Sequence, residues 1–508
     1  MTNVNPLTRM DYPDPDVIRV DDTYYMISTT MYFMPGGVIL RSYDLANWEI
    51  AAYLFDRLDD TPAERLEDGQ NLYGKGMWAA SLRCHDGRFY AAFVSHGQED
   101  THLFIADRID GPWEHRKIRG YYHDCSLLWD DDGRVFIVYG NAEIHLTELS
   151  ADLTGPAEGG IDCIILRDDR ENVFLGYEGS HFYKIDGRYV LTLIHWPKDK
   201  SRRTEAVFTA AAIEGPYDGG DVFWDDGGYC GQGIAQGGLV DTPDGRWFAV
   251  LFRDSGAIGR IPVLVPVTWN GERPVFGDNG RLPEDLPIVS TRPGHEYQPL
   301  FVSDDFCAGK DRELAPQWQW NHVPDEERWT ILPEGGLAVT TGEECANITQ
   351  ARNTLTQRMC YPTCEAEVTV DTAGLSGGDF AGLCALQGAY LAVGILEENG
   401  KKYLVVIERK EPTKGFAIGG NDTEPGEITY REEISEDTLT VGIRADFTNM
   451  KDTVQAYVRR GDATETVGEP HKMFFRLDHF TGARFGLCVL STAMAGGTAV
   501  FRDFVYRS

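Results

Sequence analysis

Basic charge, long apolar runs and helical periodicity are all scarce in this 508-residue sequence. Lysine and arginine number 47 against 80 acidic residues, which gives a formal net charge of −33. Because no basic run stands out, we expect neither nucleic acid nor an anionic membrane as a partner. No apolar stretch approaches the roughly 20 residues of a membrane-spanning helix, and the N-terminus shows no obvious signal peptide. A neutral substrate fits this acidic composition better.

The ten cysteines are scattered, and only Cys360 and Cys364 form a close pair. No neighbouring cysteine or histidine cluster completes a zinc site. In a chain of this length they are typical of reduced, mostly buried thiols, so we expect a cytoplasmic protein that requires no cofactor. The sequence also has no G-x-S-x-G motif and no phosphate-binding glycine loop.

Short strand-like runs separated by Gly, Asp and Asn dominate the first half of the chain. Asp-Gly-Arg followed by an aromatic-rich strand begins at Asp86, Asp132, Asp186 and Asp244, and a looser copy begins at Asp22. Asp-Gly between two strands is typical of a tight type I′ hairpin. The spacing of 46 to 64 residues suits a four-stranded blade. Five copies therefore predict a five-bladed β-propeller; a β-sandwich with recurring hairpins is the alternative.

A common register links the five hairpins. Eight residues before the turn aspartates stand Asp14, Trp78, Asp124, Glu178 and Gln236. Each begins a strand-like segment that leads into its hairpin. If these strands are the innermost of each blade, the five side chains converge at one end of the central channel.

Three of these five side chains are carboxylic acids, and few kinds of site need carboxyl groups clustered in this way. Carboxylates held close together have pKa values that are pushed apart, so that one stays protonated while another is ionised. Glycoside hydrolysis needs this combination of acid and base. Calcium also favours clustered carboxylates. The tryptophan in the same ring favours a sugar, whose C–H face stacks on indole.

Several segments resemble glycoside hydrolase family 43, in matching order: "DYPDPDVIRVDDTYYMISTT", "RSYDLANW", "HDCSLLWDDDGRVFIVYG", "YEGSHFYKIDGRYVL" and "QGGLVDTPDGRWFAVLF". The resemblance implies a five-bladed propeller and an inverting mechanism on β-xylosides or α-L-arabinofuranosides. It implies that Asp14 is the general base, that Glu178 is the general acid, and that Asp124 tunes Glu178 and orients the substrate.

The same resemblance suggests substrate-binding residues. Trp78 lies in "GMWAASLR" and is expected to line the sugar site, and Arg260 lies in a segment that bears an active-site arginine. Gln236 occupies the place of a histidine that in many members helps to hold a metal, so we expect no metal ligands and doubt a structural calcium. Tyr32 is expected on a loop that supplies an aromatic wall. His195 ends a strand and is either a substrate contact or rim packing.

Within the acidic segment "DYPDPDVIRV", Asp14 is the one residue for which we expect a catalytic role. Pro13 and Pro15 fix φ on either side of it, and Pro15 favours an extended backbone for Asp14 itself. Asp16 is expected to have a structural hydrogen-bonding role, at a turn.

The second half predicts a further all-β domain. Residues 270–300 are rich in Pro, Gly and Asp and predict a connector, which gives a propeller over residues 1–293 and a β-sandwich over 303–508. The alternating runs "CEAEVTVDT", "AYLAVGILE" and "TVQAYVRR" indicate the sandwich. It resembles the concanavalin-like jelly-roll domain of xylosidases in this family, which we expect to pack on the propeller. A loop near His479–Phe485 is expected to reach the active site.

These observations predict an inverting exo-glycosidase that releases xylose, arabinose or both from short xylo- or arabino-oligosaccharides. A non-catalytic sugar-binding propeller is the alternative from another class, and a metal-stabilised scaffold is the second. Sandwich domains often supply interfaces, so a homo-oligomer is possible.

Overall fold

The computed structural model describes residues 4–307, 313–410 and 424–508. The first part of the chain forms five four-stranded antiparallel sheets, each built from strands in chain order. This all-β arrangement confirms the five-bladed propeller.

The blades have the following strands. Blade 1 contains β1 (Asp16–Val20), β2 (Thr23–Ser28), β4 (Gly36–Ser42) and β5 (Glu49–Phe55), with the two-residue strand β3 (Phe33–Met34) outside the blade. Blade 2 contains β6 (Met77–His85), β7 (Arg88–Ser95), β8 (Thr101–Ala106) and β9 (Glu114–Ile118). Blade 3 contains β10 (Ser126–Trp129), β11 (Val135–Asn141), β12 (Glu143–Leu149) and β13 (Asp162–Arg167). Blade 4 contains β14 (Val173–Ile185), β15 (Arg188–Pro197), β16 (Thr204–Ala210) and β17 (Asp218–Phe223). Blade 5 contains β18 (Ile234–Asp241), β19 (Trp247–Asp254), β20 (Arg260–Asn270) and β21 (Arg273–Phe276).

The Asp-Gly-Arg copies form the hairpins between the first two strands of their blades. In blades 2 and 4 the turns contain two residues, and Asp86 and Asp186 have φ of 49° and 48°, as a type I′ turn requires. In blade 3 the last paired residues are Trp129 and Val135, so that turn is longer. Each copy therefore marks a hairpin, as expected, although in blade 3 the backbone carbonyl of Asp130 accepts the N–H of Gly133 and forms a turn of its own.

The first strand of each blade is the innermost one. β1, β6, β10, β14 and β18 contact one another in a closed ring around the channel. The N-terminal segment also fastens blade 5, because Leu7 donates its backbone N–H to Pro262 over 2.9 Å and the Asn5 amide pairs with both backbone groups of Leu264. Residues at equivalent positions of the inner strands therefore face the same end of the channel.

The segment that connects the two domains, residues 277–318, runs along blade 1 and contains no strand in its described part. The backbone N–H of Thr291 donates to the backbone carbonyl of Tyr43 over 2.7 Å. The backbone N–H of Tyr43 in turn donates to the hydroxyl of Tyr297 over 2.9 Å. His295 lies 3.0 Å from the buried carboxylate of Glu49. These contacts fix the path from the propeller to the second domain.

The second domain is a sandwich of two antiparallel sheets. One sheet has the order β3-β22-β25-β35-β27-β28-β29-β30, and the other has the order β23-β24-β36-β26-β31-β32-β33, with β34 also paired to β32. Its strands are β22 (Gln319–Asn321), β23 (Trp329–Ile331), β24 (Leu337–Thr340), β25 (Leu355–Arg358), β26 (Thr363–Gly374), β27 (Asp379–Leu386), β28 (Leu391–Glu398), β29 (Lys401–Glu408), β30 (Glu427–Ile434), β31 (Thr438–Asp446), β32 (Thr453–Arg460), β33 (Ala463–Thr466), β34 (His471–Lys472), β35 (Arg484–Ser491) and β36 (Thr498–Arg507).

Helical structure is limited to single turns of 3-10 helix in the described ranges: Glu67–Gly69, Gly256–Ile258, Ile348–Gln350 and Thr448–Met450. None of the helices described is long and apolar enough to cross a membrane.

The two domains share one sheet and one core. Strand β3 leaves blade 1 and pairs with β22, with Met34 opposite Trp320. The largest hydrophobic cluster contains side chains from both domains, including Tyr12 and Phe485. The sandwich thus packs on the propeller, as expected.

Candidate active site

A cavity of about 420 Å³ opens where the inner strands begin. This volume lies within the range usual for small-molecule sites. All five residues of the predicted register line the cavity, and Arg260 does too: Asp14, Trp78, Asp124, Glu178, Gln236, Arg260. The hairpin repeat therefore located the site, because a fixed register in each blade places equivalent side chains at the same end of the channel.

Three of the register residues have left-handed backbones. The φ angles of Asp14, Asp124 and Gln236 are 51°, 48° and 55°. In blade 4 the corresponding bend is at Gly179, with φ of 63°, directly after Glu178. Positive φ at non-glycine residues costs about 1–3 kcal/mol and concentrates at functional sites. The bend turns each chain from the cavity wall into its inner strand.

The expected extended backbone of Asp14 was wrong. The local preference imposed by Pro15 is weaker here than the contacts made on either side. The carbonyl of Pro13 accepts from the Ser28 hydroxyl over 2.7 Å and from the backbone N–H of Thr29 over 3.3 Å. These bonds hold Asp14 against blade 1 with its side chain in the cavity.

Asp14 is paired with Arg260. The guanidinium donates to the carboxylate over 2.6 Å, and both side chains are buried. Burial raises the pKa of Asp14, whereas the charge of Arg260 opposes that rise. The Nε and Nη2 groups of Arg260 are buried and have no hydrogen-bond partner among the described residues.

Asp124 and Glu178 form a second group with His123. The imidazole Nε2 lies 3.5 Å from a Glu178 carboxylate oxygen, and Nδ1 lies 3.8 Å from Asp124. The backbone N–H of Gly179 donates to Asp124 over 3.1 Å. Burial, together with the negative charges of Glu178 and Asp14, raises the pKa of Asp124 to about 7, although His123 opposes it.

His123 is charged at neutral pH. Burial lowers the pKa of its imidazole, but the carboxylates of Asp124 and Glu178 outweigh burial and raise it to about 9. These contacts give His123 a supporting role beside the two carboxyl groups. The cluster contains two carboxyl groups and one imidazolium, which is an arrangement that stores and moves protons.

Asn141 is a site residue that the sequence analysis missed. Its side-chain amide donates to a Glu178 carboxylate oxygen. The turn that carries it is fixed to blade 4, because the backbone N–H of Ala142 donates to Tyr177 over 2.8 Å. Ser126 pairs with Val138, and continuing that register places Asn141 opposite His123. The hairpin register was thus a usable signal for this residue.

Aromatic side chains form one wall of the cavity. The Trp78 ring stacks on His96 with centroids 5.3 Å apart and meets His123 edge-on at 5.4 Å. Phe480, from the sandwich domain, also lines the cavity, and its ring centroid lies 4.3 Å from the Arg260 guanidinium. The structure thus places part of the predicted loop near His479–Phe485 in the site.

The remaining lining residues include Arg203. Arg203 donates to Asp254 over 2.9 Å. The other lining residues not yet named are Met31, Gly74, Ala79, Tyr121, Leu175, Ile194, Phe252 and Leu477.

Two predicted substrate-binding residues do not line the cavity. Tyr32 is about 1% exposed and stacks on His322, with its hydroxyl 3.1 Å from Thr481. It lies in the domain interface because β3 leads the following residues into the sandwich sheet. His195 lies between Asp168 and Asp221, at 3.2 Å and 2.7 Å. Both of its ring nitrogens are therefore occupied, and it braces the outer part of blade 4.

Asp16 has the expected structural role, but it is not at a turn. Its carboxylate accepts from Arg83 over 2.6 Å, from the backbone N–H of Leu82 over 2.7 Å and from His181 over 3.0 Å. Burial opposes ionisation, but Arg83 and His181 lower the pKa of Asp16. It joins blades 1, 2 and 4 below the cavity.

Within the described ranges, one group of side chains has the geometry to hold a metal ion: His123, Asp124 and Glu178. Calcium prefers six to eight oxygen ligands, whereas this group offers two carboxylates and one imidazole nitrogen. The donor set does not fit calcium, and the expectation about a structural calcium elsewhere stays a prediction.

Comparison with known proteins agrees with this geometry. The family model "Glycosyl hydrolases family 43" matches residues 4–274, and "Beta xylosidase C-terminal Concanavalin A-like domain" matches residues 303–507. A beta-xylosidase of Formosa agariphila is 29% identical over 478 residues, which covers 83% of this chain and 79% of that protein.

Solved structures show the same two-domain arrangement. A bifunctional GH43-CE protein of Bacteroides eggerthii matches with a TM-score of 0.91 and 38% identity, over 99% of this chain and 63% of that chain. This chain therefore spans less than two thirds of that protein. An engineered GH43 glycoside hydrolase, described as displaying both endo-xylanase and exo-arabinofuranosidase activity, matches with a TM-score of 0.87 and 27% identity over 99% of both chains. The chain belongs to glycosyl hydrolase family 43 and carries the concanavalin A-like C-terminal domain of beta-xylosidases.

Proposed function

We propose that this glycosidase is an inverting, exo-acting enzyme that releases xylose, arabinose or both from xylo- or arabino-oligosaccharides. The observation that carries the proposal is the convergence of Asp14, Asp124 and Glu178, from three different blades, in one cavity. The names of the relatives, beta-xylosidase and exo-arabinofuranosidase, support the choice of pentose substrates.

The general base is Asp14. The Arg260 guanidinium favours its ionised form, and an ionised carboxylate can accept a proton from a water molecule as that water attacks the anomeric carbon. The buried ion pair also fixes the position of the carboxylate, which a base needs in order to stay within reach of one water.

The general acid is Glu178, which donates its proton to the departing glycosidic oxygen. His123 and Asn141 contact the same carboxylate oxygen of Glu178 and orient the group. Asp124 positions Glu178 and orients the substrate: its carboxylate accepts the backbone N–H of Gly179, the residue directly after Glu178. Acid and base lie on different blades, and the inverting mechanism uses a water on the opposite side of the sugar from the acid.

The shape of the cavity supports exo action. Trp78 and Phe480, the latter from the second domain, form its aromatic wall. A cavity of about 420 Å³ suits the terminal sugar of a chain rather than a long internal segment. Release of internal fragments from xylan or arabinan before any monosaccharide would contradict this assignment.

A panel of nitrophenyl glycosides tests the proposal. We expect hydrolysis of the β-D-xylopyranoside, the α-L-arabinofuranoside or both, and proton NMR of the first-formed sugar should show the inverted anomer. Glu178→Gln should abolish turnover of the active substrates, whereas Glu214→Gln, which alters an exposed glutamate of the same blade, should not. Full activity in Glu178→Gln would favour a different acid, and sugar binding without hydrolysis in the unaltered protein would favour the non-catalytic alternative.

We further propose that the protein works in a reducing compartment such as the cytoplasm. All ten cysteines are free, and five of them are buried. Free thiols in this number are typical of proteins kept reduced by glutathione and thioredoxin. Cell fractionation with an antibody to the protein tests the location.

A further inference from the structure

Exposed aromatic side chains are few in the described part of the chain. They are Tyr121, Phe174 and Trp224, with exposures of 37%, 66% and 46%. Tyr121 lines the cavity itself. The other two belong to blade 4, which also carries Glu178.

Phe174 and Trp224 are connected through Trp196 and Lys200. The half-buried Trp196 meets Phe174 edge-on with ring centroids 5.5 Å apart. Its indole N–H donates to the backbone carbonyl of Lys200 over 3.2 Å, and the Lys200 ammonium lies 5.2 Å from the Trp224 ring. Single exposed apolar residues are ordinary, but a connected group beside a binding cavity marks an interaction site.

The first hairpin of blade 4 projects beyond the other blades. Strand β14 has 13 residues, whereas the inner strands of the other blades have between four and nine. The extra length precedes Glu178 and carries Phe174 and Leu175, and Leu175 lines the cavity. Phe174 precedes Glu178 by four residues, a rise of at most about 13 Å along a strand.

The pairing of β14 with β15 explains why Phe174 faces solvent. Val173 pairs with Pro197 and Leu175 pairs with Trp196, with a shift of register between these two pairs. Phe174 is the additional residue at this irregularity, and bulges of this kind redirect a side chain at the edge of a sheet. The result is an exposed ring beside the mouth of the cavity rather than a ring packed in the sheet.

Catalytic chemistry defines which part of the substrate lies here. The general acid must contact the glycosidic oxygen, so the leaving group passes the cavity mouth on the side of Glu178. Phe174 and Leu175 lie on the same strand as Glu178, directly outward from it. A chain that leaves the cavity past Glu178 therefore crosses the surface formed by Phe174, Trp196 and Trp224.

We propose that Phe174, Trp196 and Trp224 form a binding surface for the leaving-group part of a pentose oligosaccharide, an inference that rests on the proposed function. The apolar C–H faces of successive sugars stack on the rings, and Trp and Phe supply large contact areas at low cost in conformational entropy. The surface makes the enzyme prefer chains of three or more sugars over a disaccharide.

Chain-length kinetics test this surface. We would measure kcat/KM for the nitrophenyl glycoside and for xylo- and arabino-oligosaccharides of two to five sugars, using the unaltered protein, Phe174→Ala, Trp224→Ala and Phe174→Tyr. Met494→Ala is the matched control, since Met494 is 63% exposed and lies in the other domain. Phe174→Ala should leave the nitrophenyl substrate unaffected and reduce kcat/KM for the longer chains by about three- to tenfold, equivalent to one aromatic stacking contact.

Phe174→Tyr should restore the preference for longer chains, Trp224→Ala should reduce it, and Met494→Ala should behave as the unaltered protein. Equal losses on all substrates, or no loss on the longer chains, would overturn the proposed surface while leaving the glycosidase intact. If the unaltered protein hydrolysed neither the nitrophenyl xyloside nor the nitrophenyl arabinofuranoside, the proposed function would fail first, and this inference with it.

Discussion

The guanidinium of Arg260 donates to the carboxylate of Asp14 over a distance of 2.6 Å, with both groups buried. Asp14 lies at the start of the first blade and Arg260 lies in the fifth, so the pair also closes the ring of blades. It gives the proposed general base both its charge state and its position.

Replacing Arg260 should shift the pH dependence of catalysis as well as its rate. Burial raises the pKa of Asp14, and Arg260 opposes that effect, so Arg260→Met should raise this pKa further. The base must be ionised, so the acidic limb of kcat/KM should move to higher pH. We expect a loss of about 10- to 100-fold at the optimum, the value of a hydrogen bond to a charged group.

Arg260→Lys is the matched control, because it keeps the charge but loses the planar geometry. It should lower kcat/KM while leaving the acidic limb nearly unmoved. An Arg260→Met enzyme with an unchanged pH profile would show that Asp14 does not titrate on that limb.

The convergence of side chains from five blades could be predicted from sequence because it depends on one repeated local feature. A short hairpin turn fixes the register between two strands, and side-chain direction alternates along a strand. Counting from the turn therefore identified Asp14, Asp124 and Glu178 without knowledge of the loops.

Residues set by long-range docking could not be predicted in this way. We expected Tyr32 at the site because of the loop that carries it, but that loop leads through β3 into the sheet of the sandwich domain. Phe480 lies more than 200 residues after the last blade, and only domain packing brings it over Arg260. The φ of Asp14 also depended on tertiary contacts rather than on Pro15.

Asp124 and His123 make two predictions about the basic limb of the pH profile. The pKa of Asp124 is about 7, so we expect kcat/KM to fall above about pH 7 as this carboxyl loses its proton. Asp124→Asn has no carboxyl that titrates in this range, so the fall of kcat/KM above about pH 7 should be lost.

His123→Gln should move the basic limb instead of removing it. The imidazolium, with a pKa of about 9, lowers the pKa of Asp124, so its removal should move the basic limb to higher pH. Profiles of kcat/KM with the nitrophenyl substrate from pH 4 to 10 check both variants. A basic limb that stays unchanged in both variants would contradict the assignment of this limb to Asp124.

Glu205 should make the stability of the protein depend on pH. Its buried carboxyl accepts the backbone N–H of Gln236 over 2.8 Å, and burial raises its pKa well above the ordinary value of 4.5. The folded protein therefore holds a proton that the unfolded chain releases above about pH 4.5. The free energy of unfolding should fall as pH rises from there towards the folded pKa.

Glu205→Gln mimics the protonated acid and removes this dependence. The variant should gain stability over the unaltered protein by up to about 1.4 kcal/mol per pH unit in that interval. Urea unfolding between pH 5 and 8 checks it, with Glu214→Gln as an exposed control. If the free energy of unfolding changed with pH in the same way for Glu205→Gln and the unaltered protein, Glu205 would have to be ionised in the folded state.

Asp11 couples the second domain to the active site. Its two carboxylate oxygens accept the backbone N–H groups of Arg260 and Gly482, each over 2.7 Å, and Gly482 lies two residues after Phe480. Asn at position 11 has one acceptor oxygen, so its amide group must face one of these N–H donors. Since an unsatisfied buried donor costs about 1–3 kcal/mol, Asp11→Asn should lower the free energy of unfolding by that amount.

The same variant should raise KM for the nitrophenyl substrate, because the loop that carries Phe480 loses its attachment to the propeller beside Arg260. Asp22→Asn is the matched control: it alters an exposed ion pair with Arg292, and such pairs contribute little to stability. Urea unfolding and steady-state kinetics check both variants. If Asp11→Asn loses stability while KM stays constant, Asp11 joins the domains without positioning Phe480, and the aromatic wall of the cavity depends on the remaining interface alone.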